Sequence, residues 1–274
     1  MLIFIPALAA HQVDQQTLLQ SVLAFTIFSL IASAVYIIND LIDLQADRLH
    51  PRKCLRPFAS GQATIFSGII LSLLLLLVGF GGALFLELDF LLILLTYFFL
   101  SLIYTFKLKQ VMVIDLFTLT VLYVIRIFAG AVLTGIPLSI WLIAFSLFFF
   151  FSLAAVKRQT ELLDYKERNI LQIHGRGYKS SDELIIRIIS IITGYISVMV
   201  LALYISSDNI MLLYQSSTYL WGICAIIFLW LNRIYFLTHQ RKMNDDIVLF
   251  AVTDYFSLIS LFIILFLMFA GAYL

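Results

Sequence analysis

Three aspartates follow the first long apolar stretch of this 274-residue chain at regular intervals. Asp40, Asp43 and Asp47 stand at i, i+3 and i+7, and Asn39 lies four residues before Asp43, so a continuing helix would place all four side chains on one face. Carboxylates brought together beside an apolar segment repel each other, and a divalent cation with hard oxygen ligands relieves that repulsion. The spacing therefore predicts a Mg²⁺ site formed by Asn39, Asp40, Asp43 and Asp47.

A basic cluster follows these acids directly. Arg52, Lys53 and Arg56 lie within ten residues of Asp47, with Arg48 beside it. Such side chains suit phosphate oxygens, and protein-bound Mg²⁺ commonly combines one or two carboxylates with phosphate oxygens and water. Acids followed by bases predict a Mg²⁺–pyrophosphate site. The alternative is a solvated loop of mixed charge, and the phasing of the acids argues against it.

The composition around this motif is that of a polytopic membrane protein. Hydrophobic residues make up 63% of the chain and charged residues 12%, against roughly 45–50% and 25% in soluble domains. A soluble enzyme, a secreted disulfide scaffold and a disordered chain are therefore excluded. The net charge of +1 gives no indication of a nucleic-acid partner.

Eight apolar stretches are long enough to span a bilayer, which needs about 20 residues in a helix. They are 17–38, 63–86, 90–106, 111–134, 138–156, 184–205, 214–237 and 247–272. Lipid-exposed backbone must be satisfied within helices or closed barrels. The apolar runs show no strand-like alternation, so we predict an all-α membrane protein.

The loops between these stretches divide by charge. Fourteen of the 17 basic residues lie in loops 39–62, 107–110, 157–183 and 238–246, and none lies in loops 87–89, 135–137 and 206–213. The positive-inside rule predicts that the basic loops are cytoplasmic. The two longest follow the first and fifth stretches, so we expect one membrane domain over 1–274, built of two pseudo-repeat halves at about 17–134 and 138–272. Residues 1–16 read as the remnant of a first helix.

A second charged segment begins where the fifth stretch ends. Lys157, Glu161, Asp164 and Arg168 fall at i, i+4, i+7 and i+11 and would form one stripe on a helix, with Arg158 beside Lys157. One interpretation is a helix extension with ion pairs along its surface. The other is an anion site. The residues alone leave both open.

Arg126 is the one basic residue near the middle of an apolar stretch. A charge at that depth costs several kcal/mol unless it faces a cavity or a partner. Asp115 precedes it by eleven residues, about three helical turns, and projects from the same face. Arg126 is therefore expected either to bind substrate, which we favour, or to form a structural ion pair with Asp115.

The first motif resembles the first signature of the UbiA superfamily of intramembrane prenyltransferases, with Asn39-Asp40-x-x-Asp43-x-x-x-Asp47 followed by Arg56-Pro57 and Gly61. This resemblance implies a UbiA-like bundle of eight to nine transmembrane helices with a cytoplasm-facing cavity. It also implies binding of a polyprenyl diphosphate through Mg²⁺. Most members carry a second aspartate-rich motif, from which Lys157–Arg168 departs.

A branch of that superfamily matches these departures. His50-Pro51-x-Lys53 and Lys157-Arg158-x-x-Glu161-Leu162 resemble motifs of the decaprenyl-phosphate phosphoribosyltransferases of arabinan precursor synthesis. The resemblance implies phosphoribosyl pyrophosphate as donor and a polyprenyl phosphate as acceptor, in a multi-pass protein of the bacterial inner membrane whose site faces the cytoplasm. Polyprenyl chain length and oligomeric state stay open.

The roles expected on this basis divide the candidate residues into groups. Asp40, Asp43 and Asp47, helped by Asn39, hold Mg²⁺ on the pyrophosphate, whose charge Arg52, Lys53 and Arg56 neutralise. Lys157 and Arg158 bind a donor or acceptor phosphate. Glu161 positions ribose hydroxyls or a metal water, and Asp164 and Arg126 complete the substrate-binding set. Two alternatives remain: a UbiA-type enzyme that moves a prenyl chain to an aromatic or other small acceptor, and a non-catalytic transporter or lipid-binding protein.

Overall fold

The computed structural model describes residues 1–12, 14–49, 53–168, 176–207, 214, 216, 218–243 and 247–273. Within these residues the regular elements are helices, joined in places by short 3₁₀ turns. The α-helices are α1 (Ile5–Ala9), α2 (Gln15–Ile42), α3 (Leu44–Leu49), α4 (Ile65–Ala83), α5 (Leu88–Phe106), α6 (Ile114–Thr134), α7 (Ile140–Glu167), α8 (Glu183–Ile205), α9 (Thr218–His239), α10 (Ile247–Thr253) and α11 (Tyr255–Tyr273).

Eight of the described helices are long and apolar enough to cross a membrane, namely α2, α4 to α9 and α11. Each overlaps one of the eight predicted stretches, so the all-α prediction is confirmed. Large apolar side chains face outward along them, for example Leu77 and Phe262, which are 70% and 71% exposed. Lipid, unlike water, imposes no penalty on such exposure. The protein is an integral, multi-pass membrane protein.

Side-chain caps start several of these helices. The Asp14 carboxylate accepts hydrogen bonds from the backbone N–H groups of Gln16 and Thr17 at the start of α2. The Thr17 hydroxyl also donates to this carboxylate, and that hydrogen bond is the main cause of the lowered pKa of Asp14. At the start of α7 the Ser139 hydroxyl accepts the N–H of Trp141. Each cap satisfies N–H groups that lack an intrahelical partner. At the other end of a helix, α6 stops at Gly135, which has a φ of +66°, the left-handed conformation that glycine adopts without strain.

Both charged motifs lie at helix ends. α2 runs past the predicted boundary at 38, so Asn39 and Asp40 occupy its last turn, while Asp43 is its C-terminal cap and Asp47 lies on α3. The helix is thus interrupted once within the aspartate series, although the Asp47 N–H still donates to the Asp43 carbonyl at 2.8 Å. α7 continues eleven residues past its predicted end at 156 and carries the second motif to Glu167.

The last predicted stretch, 247–272, is divided in the structure, and the expectation of one continuous helix there is wrong. α10 ends at Thr253 and α11 begins at Tyr255. The residue at the break, Asp254, accepts the Ser257 N–H at 2.9 Å and two hydrogen bonds from Arg233 at 2.6 and 2.8 Å. A carboxylate that caps a new helix and pairs with an arginine favours a restart there.

The chain forms two compact units, one comprising residues 1–138 and Arg176, the other the described residues of 139–168 and 177–273. In the first, α2 packs along α4 and α5 against α6, over a core that includes Phe28, Ile31, Phe90 and Tyr97. In the second, α7 packs along α8 and α9 against α11, and Val156, Leu231, Ile234 and Tyr235 form one of its buried clusters.

Gly194 on α8 is a position where even one methyl group should not fit. A Cβ there would lie 1.8 Å from Tyr235 Oη and 2.9 Å from Ser152 Oγ. Tyr235 cannot easily move, because its hydroxyl is 2.8 Å from Ser152 Oγ and donates to the Ser190 carbonyl at 3.0 Å. We expect Gly194→Ala to lower the free energy of unfolding by about 1–3 kcal/mol, measured by thermal unfolding in detergent. The control is Gly81→Ala on α4, where an added Cβ meets nothing within 4 Å; equal unfolding temperatures for the two variants would contradict the close packing.

Candidate functional site

Asp40 and Asp47 meet at one guanidinium. Arg56 Nη1 lies 2.8 Å from Asp40 Oδ1 and 2.8 Å from Asp47 Oδ2. Asp47 is buried and Asp40 half-buried, so water screens their charges only in part. The two predicted metal ligands therefore face a common point, and a positive group already lies there.

Asp43 and Asn39 are held by the end of α5 and the turn that follows it. Lys109 Nζ lies 2.6 Å from Asp43 Oδ1, and the lysine side chain is only 13% exposed. The Thr105 hydroxyl donates to Asn39 Oδ1. These contacts join positions 66 residues apart in the chain. The oxygen-rich end of α2 is thus lined by a second basic side chain that sequence reasoning treated only as a loop charge.

A buried network lies beside Thr105. Tyr104 donates to Asp115 Oδ1 at 2.9 Å, and Arg176 Nη1 donates to Tyr104 Oη at 3.0 Å and to Asp115 Oδ1 at 3.2 Å. Asp115 is fully buried, and a buried carboxylate requires such a counter-charge. Arg176 supplies it, so the ion pair between Asp115 and Arg126 that we considered is not what the structure shows.

Arg126 instead lies among aromatic side chains. Its Cζ is 5.8 Å from the ring centroids of Phe28 and Tyr97 and 5.5 Å from that of Tyr123. Its Nη2 lies 3.4 Å from Tyr97 Oη, a long hydrogen bond. Within the part of the chain that the structure describes, Arg126 forms no ion pair with a carboxylate. We call Arg126, Phe28, Tyr97 and Tyr123 the arginine cage.

The second motif places a completely buried cation on α7. Arg158 is 0% exposed, forms an ion pair with Glu161, and has its Cζ 5.5 Å from the Tyr178 ring centroid. Lys157, Glu161 and Asp164 are half-buried. The helix extension is real, but the burial of Arg158 is unlike a solvated surface stripe.

Sequence reasoning found some of these residues and missed others. Lys53 lies in the 3₁₀ turn Lys53–Leu55, whereas Arg52, with His50 and Pro51, falls outside the described residues. Sequence reasoning treated Lys109 and Arg176 only as charges of basic loops, and it did not predict a role for Tyr104 or Thr105. Tyr104–Lys109, like the aspartate motif, is a segment with polar residues at the end of an apolar stretch. That pattern could have identified these residues as candidates.

Comparisons with known proteins show what this chain is similar to. The model of the UbiA prenyltransferase family matches residues 1–269. The nodulation protein NoeC of Azorhizobium caulinodans is 34% identical over 262 residues, which are 94% of this chain and 84% of that protein. The decaprenyl-phosphate phosphoribosyltransferase of Mycobacterium tuberculosis is 38% identical over 140 residues, which are 51% of this chain and 46% of that protein. The chain spans about half the length of some curated relatives that it matches.

The fold has a counterpart among solved structures. A UbiA homologue from Archaeoglobus fulgidus bound to GPP and Mg²⁺ superposes with a TM-score of 0.67 and 16% identity, covering 100% of this chain and 96% of that one. The expected UbiA-like helical bundle is therefore confirmed, while its cytoplasm-facing cavity stays a prediction. With the family model matching nearly the whole sequence, the chain belongs to the UbiA prenyltransferase family.

Proposed function

We propose that this protein transfers phosphoribose from phosphoribosyl pyrophosphate to a polyprenyl phosphate and releases pyrophosphate. The observation that carries the proposal is the basic start of the second motif, where the half-buried Lys157 precedes the Arg158–Glu161 ion pair on α7 and a second aspartate cluster is usual in the family. A fixed cation suits a phosphate group better than a second metal ion. The relatedness to an enzyme named decaprenyl-phosphate phosphoribosyltransferase supports the same choice.

The aspartate motif is assigned to Mg²⁺ and the pyrophosphate. Three carboxylates and the Asn39 amide provide hard oxygen donors, which Mg²⁺ prefers, and one nitrogen of Arg56 already contacts both Asp40 and Asp47. Among the described residues no three acidic side chains lie close enough together to hold a metal ion by themselves, so we assign part of the ion's coordination to pyrophosphate oxygens. The Mg²⁺ bound by the Archaeoglobus homologue supports this choice of ion. When bound, Mg²⁺ would stabilise negative charge on the leaving pyrophosphate. Arg56 contacts Asp40 and Asp47, Lys109 contacts Asp43, and both would bind pyrophosphate oxygens beside the ion.

The reaction is a substitution at the anomeric carbon of the donor. The bond from that carbon to the pyrophosphate oxygen breaks, the electron pair leaves with pyrophosphate, and an oxygen of the acceptor phosphate forms the new bond. That oxygen is already anionic near neutral pH, so a general base is not required. Basic residues beside the pyrophosphate stabilise the charge as it develops. Glu161, through its ion pair, would hold the Arg158 guanidinium in place.

A labelled-donor experiment tests this function. We expect purified protein, given Mg²⁺, a polyprenyl phosphate and phosphoribosyl pyrophosphate labelled in the ribose, to move the label into the lipid fraction with one pyrophosphate released per transfer. Heat-inactivated protein and omission of the lipid are the controls. Retention of all label in the aqueous phase, with a prenyl diphosphate consumed instead, would show that the assignment is wrong.

Prenyl transfer is the second candidate, and the structural counterpart bound to GPP favours it. In that reaction the same aspartate motif would bind a prenyl diphosphate, and the acceptor would be an aromatic or other small molecule. The two functions are separated by giving the protein both donors in competition. Family membership argues against the remaining alternative of a non-catalytic transporter.

A further inference from the structure

Arg126 is a cation whose surroundings leave much of its hydrogen-bonding capacity unused. A guanidinium carries five N–H donors. Arg126 Nε is buried and donates to none of the described residues, and the bond from Nη2 to Tyr97 Oη is long, at 3.4 Å. The Tyr36 side chain also interacts with this charge. The guanidinium is surrounded by aromatic rings and phenol groups, with the α-amino group of Met1 near enough to interact with its charge. No described carboxylate forms an ion pair with it.

Such an environment does not balance the charge. A cation over an aromatic ring is stabilised by about 0.5–2 kcal/mol, whereas the penalty for removing an ion from water is several kcal/mol even after relaxation. Arg158, Arg176 and Arg233 each lie within 4 Å of a carboxylate oxygen. Arg126 departs from that pattern, which indicates that its counter-ion is a ligand.

The arginine cage lies on helices that also carry the aspartate motif or the buried network beside Thr105. α2 carries Phe28 and Asp40, α5 carries Tyr97 and Tyr104, and α6 carries Arg126 and Asp115. Each pair is separated by seven to twelve residues, about two to three helical turns. The Arg126 side chain slants toward the start of α6, as helical side chains do, and Asp115 lies at that end.

This shared location favours one of the two remaining phosphates of the proposed reaction. The acceptor phosphate attacks the anomeric carbon from the face opposite the leaving pyrophosphate and belongs to a separate molecule. The phosphate on C5 belongs to the same molecule as the pyrophosphate and is joined to it through the ribose. A cage on α2, α5 and α6, which also carry Asp40 and the network beside Thr105, therefore suits the C5 phosphate.

We propose, building on the proposed function, that the arginine cage is the subsite for the phosphate monoester on C5 of the donor sugar. The Arg126 guanidinium donates to its oxygens, and the Tyr97 hydroxyl lies beside it. A prenyl diphosphate carries no phosphate group apart from its diphosphate, so the cage also selects the phosphoribosyl donor. The binding is non-covalent and leaves the C5 phosphate unchanged in the product.

Arg126→Met, which keeps most of the apolar stem, tests the subsite. Charge-assisted hydrogen bonds are worth about 1.5–3 kcal/mol, so we expect the KM for phosphoribosyl pyrophosphate to rise about 10- to 150-fold, with the KM for polyprenyl phosphate unchanged. A donor that lacks the C5 phosphate should be equally poor with wild type and variant, because the two deletions remove one interaction. Arg126→Lys keeps the charge but not the planar guanidinium, so its KM for phosphoribosyl pyrophosphate should lie between those of wild type and Arg126→Met. Arg241→Met, at an exposed ion pair with Glu167, is the control.

Binding of ribose 5-phosphate, followed by thermal shift, tests the subsite without turnover. Wild type should be stabilised by this compound and Arg126→Met should not. That result would support the arginine cage as a phosphate subsite even if the protein proved unable to transfer phosphoribose. A failure to transfer phosphoribose would contradict the proposed function only. A rise in the lipid KM instead of the donor KM, or equal stabilisation of wild type and variant, overturns the subsite. If Arg126→Met fails to fold, a wild type that accepts the truncated donor as well as the full one overturns it too.

Discussion

Asp40→Asn is expected to abolish turnover while leaving the fold intact. Asparagine keeps the size of the side chain but lacks the charge that a divalent cation and Arg56 both require. Asp40 is half-buried at the last turn of α2, with its Oδ1 2.8 Å from Arg56 Nη1, and Arg56 keeps its second partner, Asp47, in the variant. The measurement is the initial rate of lipid labelling at increasing Mg²⁺ concentration, together with the unfolding temperature.

Asp14→Asn provides the matched control for this variant. It makes the same chemical change at the other end of α2, where Asp14 caps the helix, and asparagine caps as well as aspartate does. Its rate and Mg²⁺ dependence should equal those of wild type. If Asp40→Asn keeps more than about a tenth of wild-type activity, a barrier change of less than ~1.4 kcal/mol, Asp40 is not a metal ligand.

The parts of the fold that sequence predicts are those that local pattern determines. A run of about 20 apolar residues is sufficient for a spanning helix, and all eight were found. Hydropathy marks where the apolar surface ends rather than where the helix ends, which is why α7 was placed eleven residues short. Lys157–Glu167 is rich in good helix formers, and that signal was available.

The break at Asp254 also left a trace in the sequence. Asp254 and Ser257 have the three-residue spacing of a capping interaction, but a single charge inside a long apolar stretch was outweighed by hydropathy. Its partner, Arg233, lies 21 residues earlier on another helix. Only the fold shows that this charge is neutralised and can therefore cap a helix beside apolar residues.

The candidate site divides in the same way. The aspartate series could be found because helical spacing is a local property. The pairing of Asp43 with Lys109, 66 residues away, and of Asp115 with Arg176, 61 residues away, depends on how helices pack. From one sequence, an ion pair between Asp115 and Arg126 was the alternative to substrate binding by Arg126, because both residues lie on α6. Packing instead brought Arg176 to Asp115 and left Arg126 to the aromatic side chains.

These contacts also change which substitution best tests the second motif. Arg158→Ala would remove the ion pair with Glu161 and create a cavity at a fully buried position. Breaking a buried ion pair costs about 3–5 kcal/mol of stability, so a loss of activity there would have two explanations. Lys157 is half-buried on the same turn of α7 and is free of that complication.

Lys157→Ala is therefore the variant that decides the role of the second motif. With the C5 phosphate assigned to Arg126, the phosphate left for Lys157 and Arg158 is that of the acceptor. We expect kcat/KM for polyprenyl phosphate to fall about 10- to 150-fold. The cause should be a higher KM for polyprenyl phosphate, with the KM for phosphoribosyl pyrophosphate unchanged. The control is Lys166→Ala, at an exposed lysine that is also on α7 and lies 3.9 Å from Glu183 of α8. This variant should behave as wild type. Full activity of Lys157→Ala, or a change confined to the donor KM, would remove Lys157 from the acceptor site while leaving the aspartate motif and the family membership untouched.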